Sequence, residues 1–244
     1  MQIELLHQQT KAFADAAEGL DLDARVQTCP EWSVRVLVGH IGQGQRWAAE
    51  IVRTGAPSGI PDPHDVDLPA DWAKWLQEGA EELAGALRDS KARDANATVW
   101  TVAGTGPAEF WLRRMVHDTT VHYVDAAITA GIEYEIPEDL AIDGIQEGLE
   151  LLATPGIEER NAAVAELRGD GQTVQFRPDN QLGWHITRTP EGVKWRHGTG
   201  EADVTMSGTA QDLLLLVYGR LPLENITLTG NRDLMTHWLA HTRF

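Results

Sequence analysis

The stretch Val116-His117-Asp118-Thr119-Thr120-Val121-His122-Tyr123-Val124-Asp125 decides how the chain is read. It lies within a segment from about Pro107 to Ala130 whose apolar stripe, Trp111, Met115 and Ala126, has helical period. Gly131 follows, a residue suited to a helix end. Asp118 and His122 fall on the same stripe. Residues at i and i+4 share one helix face, with Cβ atoms about 5–6 Å apart. A carboxylate and an imidazole therefore stand together on a face that otherwise belongs to a core, and cores of helical bundles are where such polar centres are built.

Upstream, Ser33 is placed to cap a helix running to about Thr54, on which Leu37, His40, Ile41, Gly44, Trp47 and Ile51 form one stripe. His40 is thus a second inward imidazole. Taken singly, each residue has an ordinary reading: Asp118–His122 as an i,i+4 hydrogen bond, His40 as a core histidine. Three such groups buried without partners would cost several kcal/mol, roughly. A divalent metal bound by two imidazoles and one carboxylate would remove that cost and keep an open position, as in catalytic and unlike closed structural sites. Spacing leaves both readings open. His117 points about 100° away from Asp118, and Asp125 is spaced to accept the second ring N–H of His122 or to cap a local turn.

The rest of the chain divides by pattern. An amphipathic helix opens it (Leu5, Leu6, Thr10, Phe13, Ala17, Leu20), and a further helix covers about Ala70–Ser90 after a Pro/Gly/Asp-rich loop. Another spans about Pro137–Leu152. From Gly171 onward short β-type segments (TVQFR, GWHITR, GVKWR, ADVTMSG) alternate with turns, then come a helix at about Thr209–Tyr218, the strand NITLTG and a last helix at about Arg232–His241. The expected architecture is a helical bundle over 1–156 followed by a small α+β domain over 157–244.

Composition narrows the function. The 244 residues carry a formal net charge of −17 with no Lys/Arg cluster, so nucleic acid and anionic membranes are poor partners. Hydrophobic residues make up 42%, enough for a sizeable core, and nine tryptophans supply much of it. Cys29 is the single cysteine, which excludes an intrachain disulfide and fits a reducing, cytoplasmic location. It precedes Pro30 with no cationic neighbour in sequence, which does not favour a nucleophile. The N-terminus lacks the pattern of a signal peptide, and no apolar run is long enough to span a bilayer.

The segment CPEWSVRVLVGHIGQGQRW resembles the opening signature of the mycothiol-dependent maleylpyruvate isomerase family, a branch of the DinB-like four-helix metalloproteins. RRMVHDTTVHYVDAAITAG is similar to its second signature, in which an H-E-x-x-x-H-x-x-D-A helix carries two metal ligands. LLLLVYGRLPLENITLTGNRDLMTHWL is similar to its small C-terminal domain. The resemblance implies that His40, Asp118 and His122 hold the metal, with zinc the default. Asp118 stands where the family pattern has glutamate; being one methylene shorter, it is expected to need a helix shift or a bridging water. Mycothiol is implied as the thiol cosubstrate, activated as a thiolate for addition to an electrophilic alkene. Arg220 matches the family's small-domain arginine and is a candidate carboxylate clamp across the domain interface, or simply a cation answering a helix C-terminus. Arg114, one turn before Asp118, is placed to reach the mouth of the site and contact the cofactor. Gly39, Gly42 and Gly44 either give a thiol room beside His40 or allow close helix packing.

Three functions compete on this sequence. One is a mycothiol-using isomerase or S-transferase. Another is a non-catalytic, metal-stabilised module that binds a small molecule. The last is a metal-dependent hydrolase, for which Glu50 and the acids of Asp62–Asp67 are the only candidate bases.

Overall fold

A computed structural model of the protein describes residues 2–242. The chain packs as two units, one through Tyr134 and one from Glu135.

The first unit is a four-helix bundle of α1 (Gln2–Ala17), α2 (Val34–Thr54), α3 (Trp72–Arg93) and α4 (Glu109–Ala130), with a hairpin of β1 (Thr98–Thr101) and β2 (Gly104–Pro107) before α4. Local chemistry sets the ends of α2. Ser33 is extended and accepts from the Val36 amide, while Gly55 adopts a left-handed φ of 72° and returns its N–H to the Ile51 carbonyl. Gly131 closes α4 in the same way at φ 67°. The stripes seen in sequence are buried: Phe13 and Ala17 of α1, Leu37, Ile41 and Ile51 of α2, Leu76 and Leu83 of α3. Buried Gln45 of α2 donates to Thr10 of α1 at 2.9 Å, a polar tie inside the core. α4 is buried on nearly every side, including His117, Thr119, Thr120 and Asp125.

The glycines of α2 have a definite role. A Cβ at Gly42 would overlap the Trp75 ring of α3, and one at Gly39 would press on Val66 at 2.6 Å. Arg46 completes that contact: its guanidinium lies 4.4 Å from the Trp75 ring centroid and donates to the carbonyls of Gly42 and Trp75 at 3.0 and 2.8 Å. At Gly39 and Gly42, close packing is therefore what the missing side chains provide.

The second unit holds a five-stranded sheet in the order β5-β4-β3-β6-β7, formed by β3 (Thr173–Pro178), β4 (Trp184–Thr189), β5 (Gly192–His197), β6 (Val204–Gly208) and β7 (Thr227–Gly230). The β3–β6 pair is parallel and the others are antiparallel. Val174, Phe176, Trp184, Ile186, Val204 and Met206 alternate along three strands to make one buried face. Helices α6 (Ala210–Val217) and α7 (Arg232–His241) cover it, with Trp238 of α7 edge-on to Phe176 at 6.2 Å.

Helix α5 (Glu138–Leu152), which sequence pattern places within 1–156, packs against α6 in the second unit, which begins at Glu135. Its apolar face (Leu140, Ala141, Ile145, Leu149, Leu152) needs a partner, and sequence period does not say which one. Among the described residues no helix is long and apolar enough to cross a membrane.

Gly42→Ala is expected to lower stability by about 1–3 kcal/mol, the usual cost of overpacking a filled core. The measurement is a denaturant midpoint that falls at constant slope; an unchanged midpoint would show that Trp75 moves aside freely.

Candidate metal centre

His40 projects from α2 and Asp118 and His122 from one face of α4. Nε2 of His40 lies 3.1 Å from Oδ2 of Asp118, and Nε2 of His122 lies 4.0 Å from its Oδ1. One carboxylate thus faces two imidazoles whose ring centroids are 4.9 Å apart, edge to face. The donor atoms of all three residues fall within 4.8 Å of one another. Ligand atoms at zinc distances in a tetrahedron are about 3.3 Å apart, so this set is close to what a divalent ion requires. The Asp118 carboxylate lies within 4.0 Å of a ring nitrogen of each histidine, while α4 runs unbroken from Glu109 to Ala130.

Burial pushes the Asp118 carboxyl up, but His40, His122 and Arg114 outweigh it and hold the group far below the usual carboxylate range. Asp118 is an anion before any cation arrives. Arg114 places Nη2 3.7 Å from Oδ1 of Asp118, on the same helix face one turn earlier.

Behind His122 stands Asp125, which is fully buried. Its Oδ2 is 2.7 Å from Nδ1 of His122, and Thr28 donates its hydroxyl to Oδ1 at 2.5 Å. Cys29 adds its thiol to Oδ2 at 3.6 Å. When Nδ1–H donates to Asp125, the Nε2 lone pair is left facing His40 and Asp118, the tautomer a metal ligand needs. Cys29, His122 and Asp125 also lie close enough together to be considered as a metal set. Their 2.7 Å contact is a hydrogen-bond length, however, shorter than two ligands on one ion adopt. That group is best described as a relay supporting the His40–Asp118–His122 set.

Trp32 forms the wall of the site. Its ring centroid is 4.9 Å from that of His40 and 5.5 Å from that of His122. In the sequence Trp32 stands only as part of the family-like segment CPEWSV, with no role of its own, and Thr28 carries no signal, because loop residues have no period. Besides that motif, position was a signal: Trp32 directly precedes the cap of α2, about two turns before His40.

Arg220 belongs to the second unit, in the turn after α6, and gives one N–H to the Tyr218 carbonyl at 2.6 Å. Glu50 is exposed on α2 and pairs with Arg53 at 3.6 Å, while the acids of Asp62–Asp67 sit in a loop. Neither Glu50 nor these acids are among the donor atoms gathered with His40, Asp118 and His122.

Residues 3–127 match the family described as mycothiol maleylpyruvate isomerase N-terminal domain, and residues 139–237 match the MDMPI C-terminal domain, whose start coincides with α5. A solved structure of the mycothiol-dependent maleylpyruvate isomerase is 15% identical, with a TM-score of 0.61, and a mutant of it is 14% identical, with a TM-score of 0.63. Each comparison covers 93% of this chain and 91% of the other. At such identity the likeness speaks for the fold. None of the curated proteins matches the chain in sequence. With the two domains matched in order and the first spanning more than half its length, the chain belongs to the mycothiol maleylpyruvate isomerase family of enzymes.

Proposed function

We propose that this protein is a metal-dependent, mycothiol-using enzyme that adds a thiolate to an electrophilic substrate, as a cis–trans isomerase of the maleylpyruvate type or as an S-transferase. The observation that carries the reading is the set of His40, Asp118 and His122, gathered in a chain of this family. These three would hold the ion, zinc being the default for two imidazoles and a carboxylate. When bound, such an ion lowers the pKa of a coordinated thiol enough for the thiolate to prevail at neutral pH.

The chain's own residues do the rest. Asp118 supplies a fixed negative charge that offsets the cation. Asp125 keeps Nδ1 of His122 protonated and its ring oriented. Arg114, at the edge of the carboxylate, offers a positive charge to the thiol cosubstrate where it meets the site. Arg220 is proposed to grip a substrate carboxylate, since a planar guanidinium pairs with one in bidentate fashion. Its surroundings are open: Arg220 lines a cleft of about 520 Å³ in the second unit, in which Arg232 pairs with Glu224 at 3.5 Å. A cytoplasmic location belongs to the same proposal, because a lone cysteine and a thiol cosubstrate both suit a reducing compartment.

Chelator-treated protein is expected to take up one Zn²⁺ or Co²⁺ per chain by calorimetry, and His40→Ala or His122→Ala to abolish that uptake with the helical circular dichroism retained. Asp125→Asn is expected to weaken affinity by about 10–100-fold, the usual cost of losing an outer partner of a ligand. With metal and mycothiol present, turnover of maleylpyruvate without net thiol consumption identifies the isomerase. A stable conjugate with a bimane electrophile identifies the transferase. Metal-loaded, folded protein that does neither, and whose Co²⁺ spectrum ignores mycothiol, would instead be a binding module, and the enzymatic reading would fall.

A further inference from the structure

We infer that Trp32, which has no donor atom for a metal, is a positioning residue that fixes the rings of both His40 and His122. The inference rests on the metal reading above. An imidazole on a helix keeps freedom about its outer torsion, and rotation there swings Nε2 away from its neighbours. Asp125 restrains His122 through Nδ1. Trp32 lies against both rings, inclined at 48° to His40 and 32° to His122, and so opposes rotation of the two together.

The backbone that carries the indole is itself held. The Trp32 amide donates to the Cys29 carbonyl at 2.8 Å, and the Trp32 carbonyl accepts from Val26 at 2.9 Å. Arg25 and Ser33 form a β-bridge across the same loop, and Val26 is completely buried. Thr28 and Cys29, on that loop, both donate to Asp125. A single short segment, Thr28–Trp32, therefore braces His122 from two directions and His40 from one. It also sets an apolar wall on one flank of the donor set, where water would otherwise compete for the ion.

A core-filling role and a positioning role make different forecasts. If Trp32 only fills space, Trp32→Leu and Trp32→Phe lower the melting temperature of the metal-free protein but leave Co²⁺ affinity and the visible spectrum of the folded variants unchanged. If it positions the rings, Co²⁺ affinity falls by about 10-fold in Trp32→Leu and at least about threefold in Trp32→Phe, whose smaller ring covers less of the two imidazoles, and the visible bands shift. The experiment is Co²⁺ titration of chelator-treated wild type and both variants, each checked for folding by circular dichroism. Should Trp32→Leu fail to fold, Trp32→Phe alone decides. A folded variant with wild-type affinity and bands overturns the positioning role. Wild type that binds no Co²⁺ overturns the metal reading and this inference with it, so the two failures are distinct.

Discussion

The carboxylate of Asp118, held between two imidazoles from facing helices, is the constraint around which the first unit is organised. A partly buried anion is unfavourable in a bundle core unless cationic or donating groups surround it. Here His40, His122 and Arg114 do so, and they outweigh burial in fixing its charge. The next layer follows from the first. His122 needs a partner for Nδ1, and Asp125 supplies it; Asp125 is itself buried and needs donors, which Thr28 and Cys29 provide. A chain of satisfied polar groups runs outward from the centre until it ends in the loop before α2. That explains why α4 is buried on nearly all sides without being uniformly apolar.

Much of this was legible because helical period and capping are local. Ser33, Gly55 and Gly131 mark helix ends through their own backbone chemistry, and the stripe containing His40, with the one containing Asp118 and His122, appears wherever the period is 3.6 residues. The strands of the second unit were visible for the same reason: β3, β4 and β6 alternate, and turns separate them. What escaped was non-local. The face of α5 is plainly apolar, yet its partner is chosen by tertiary packing, so its membership of the second unit could not be seen along the chain. Trp32 and Thr28 escaped because a loop residue's neighbours depend on how the loop folds back, here through Val26, Cys29 and the bridge at Ser33. The glycines of α2 were ambiguous between ligand access and packing until Trp75 and Val66 were found against Gly42 and Gly39.

The aspartate at 118 brings these levels together. A carboxylate one methylene shorter than glutamate reaches a partner on another helix only if the two backbones run close at that level. The nearest atom to an imagined Cβ on Gly44, one turn beyond His40 on α2, is Sδ of Met115 at 3.6 Å. Met115 lies three residues before Asp118 on α4, so the helices meet where the site is built. Glycine adds no bulk there, and methionine is the side chain best able to conform to what remains. At 3.6 Å a Cβ on residue 44 would meet Met115 at ordinary van der Waals distance, so the two helices are in contact there without being pressed together. The reach of Asp118 to His40 across the two helices thus accompanies a close approach of α2 and α4 one turn away, at Gly44 and Met115.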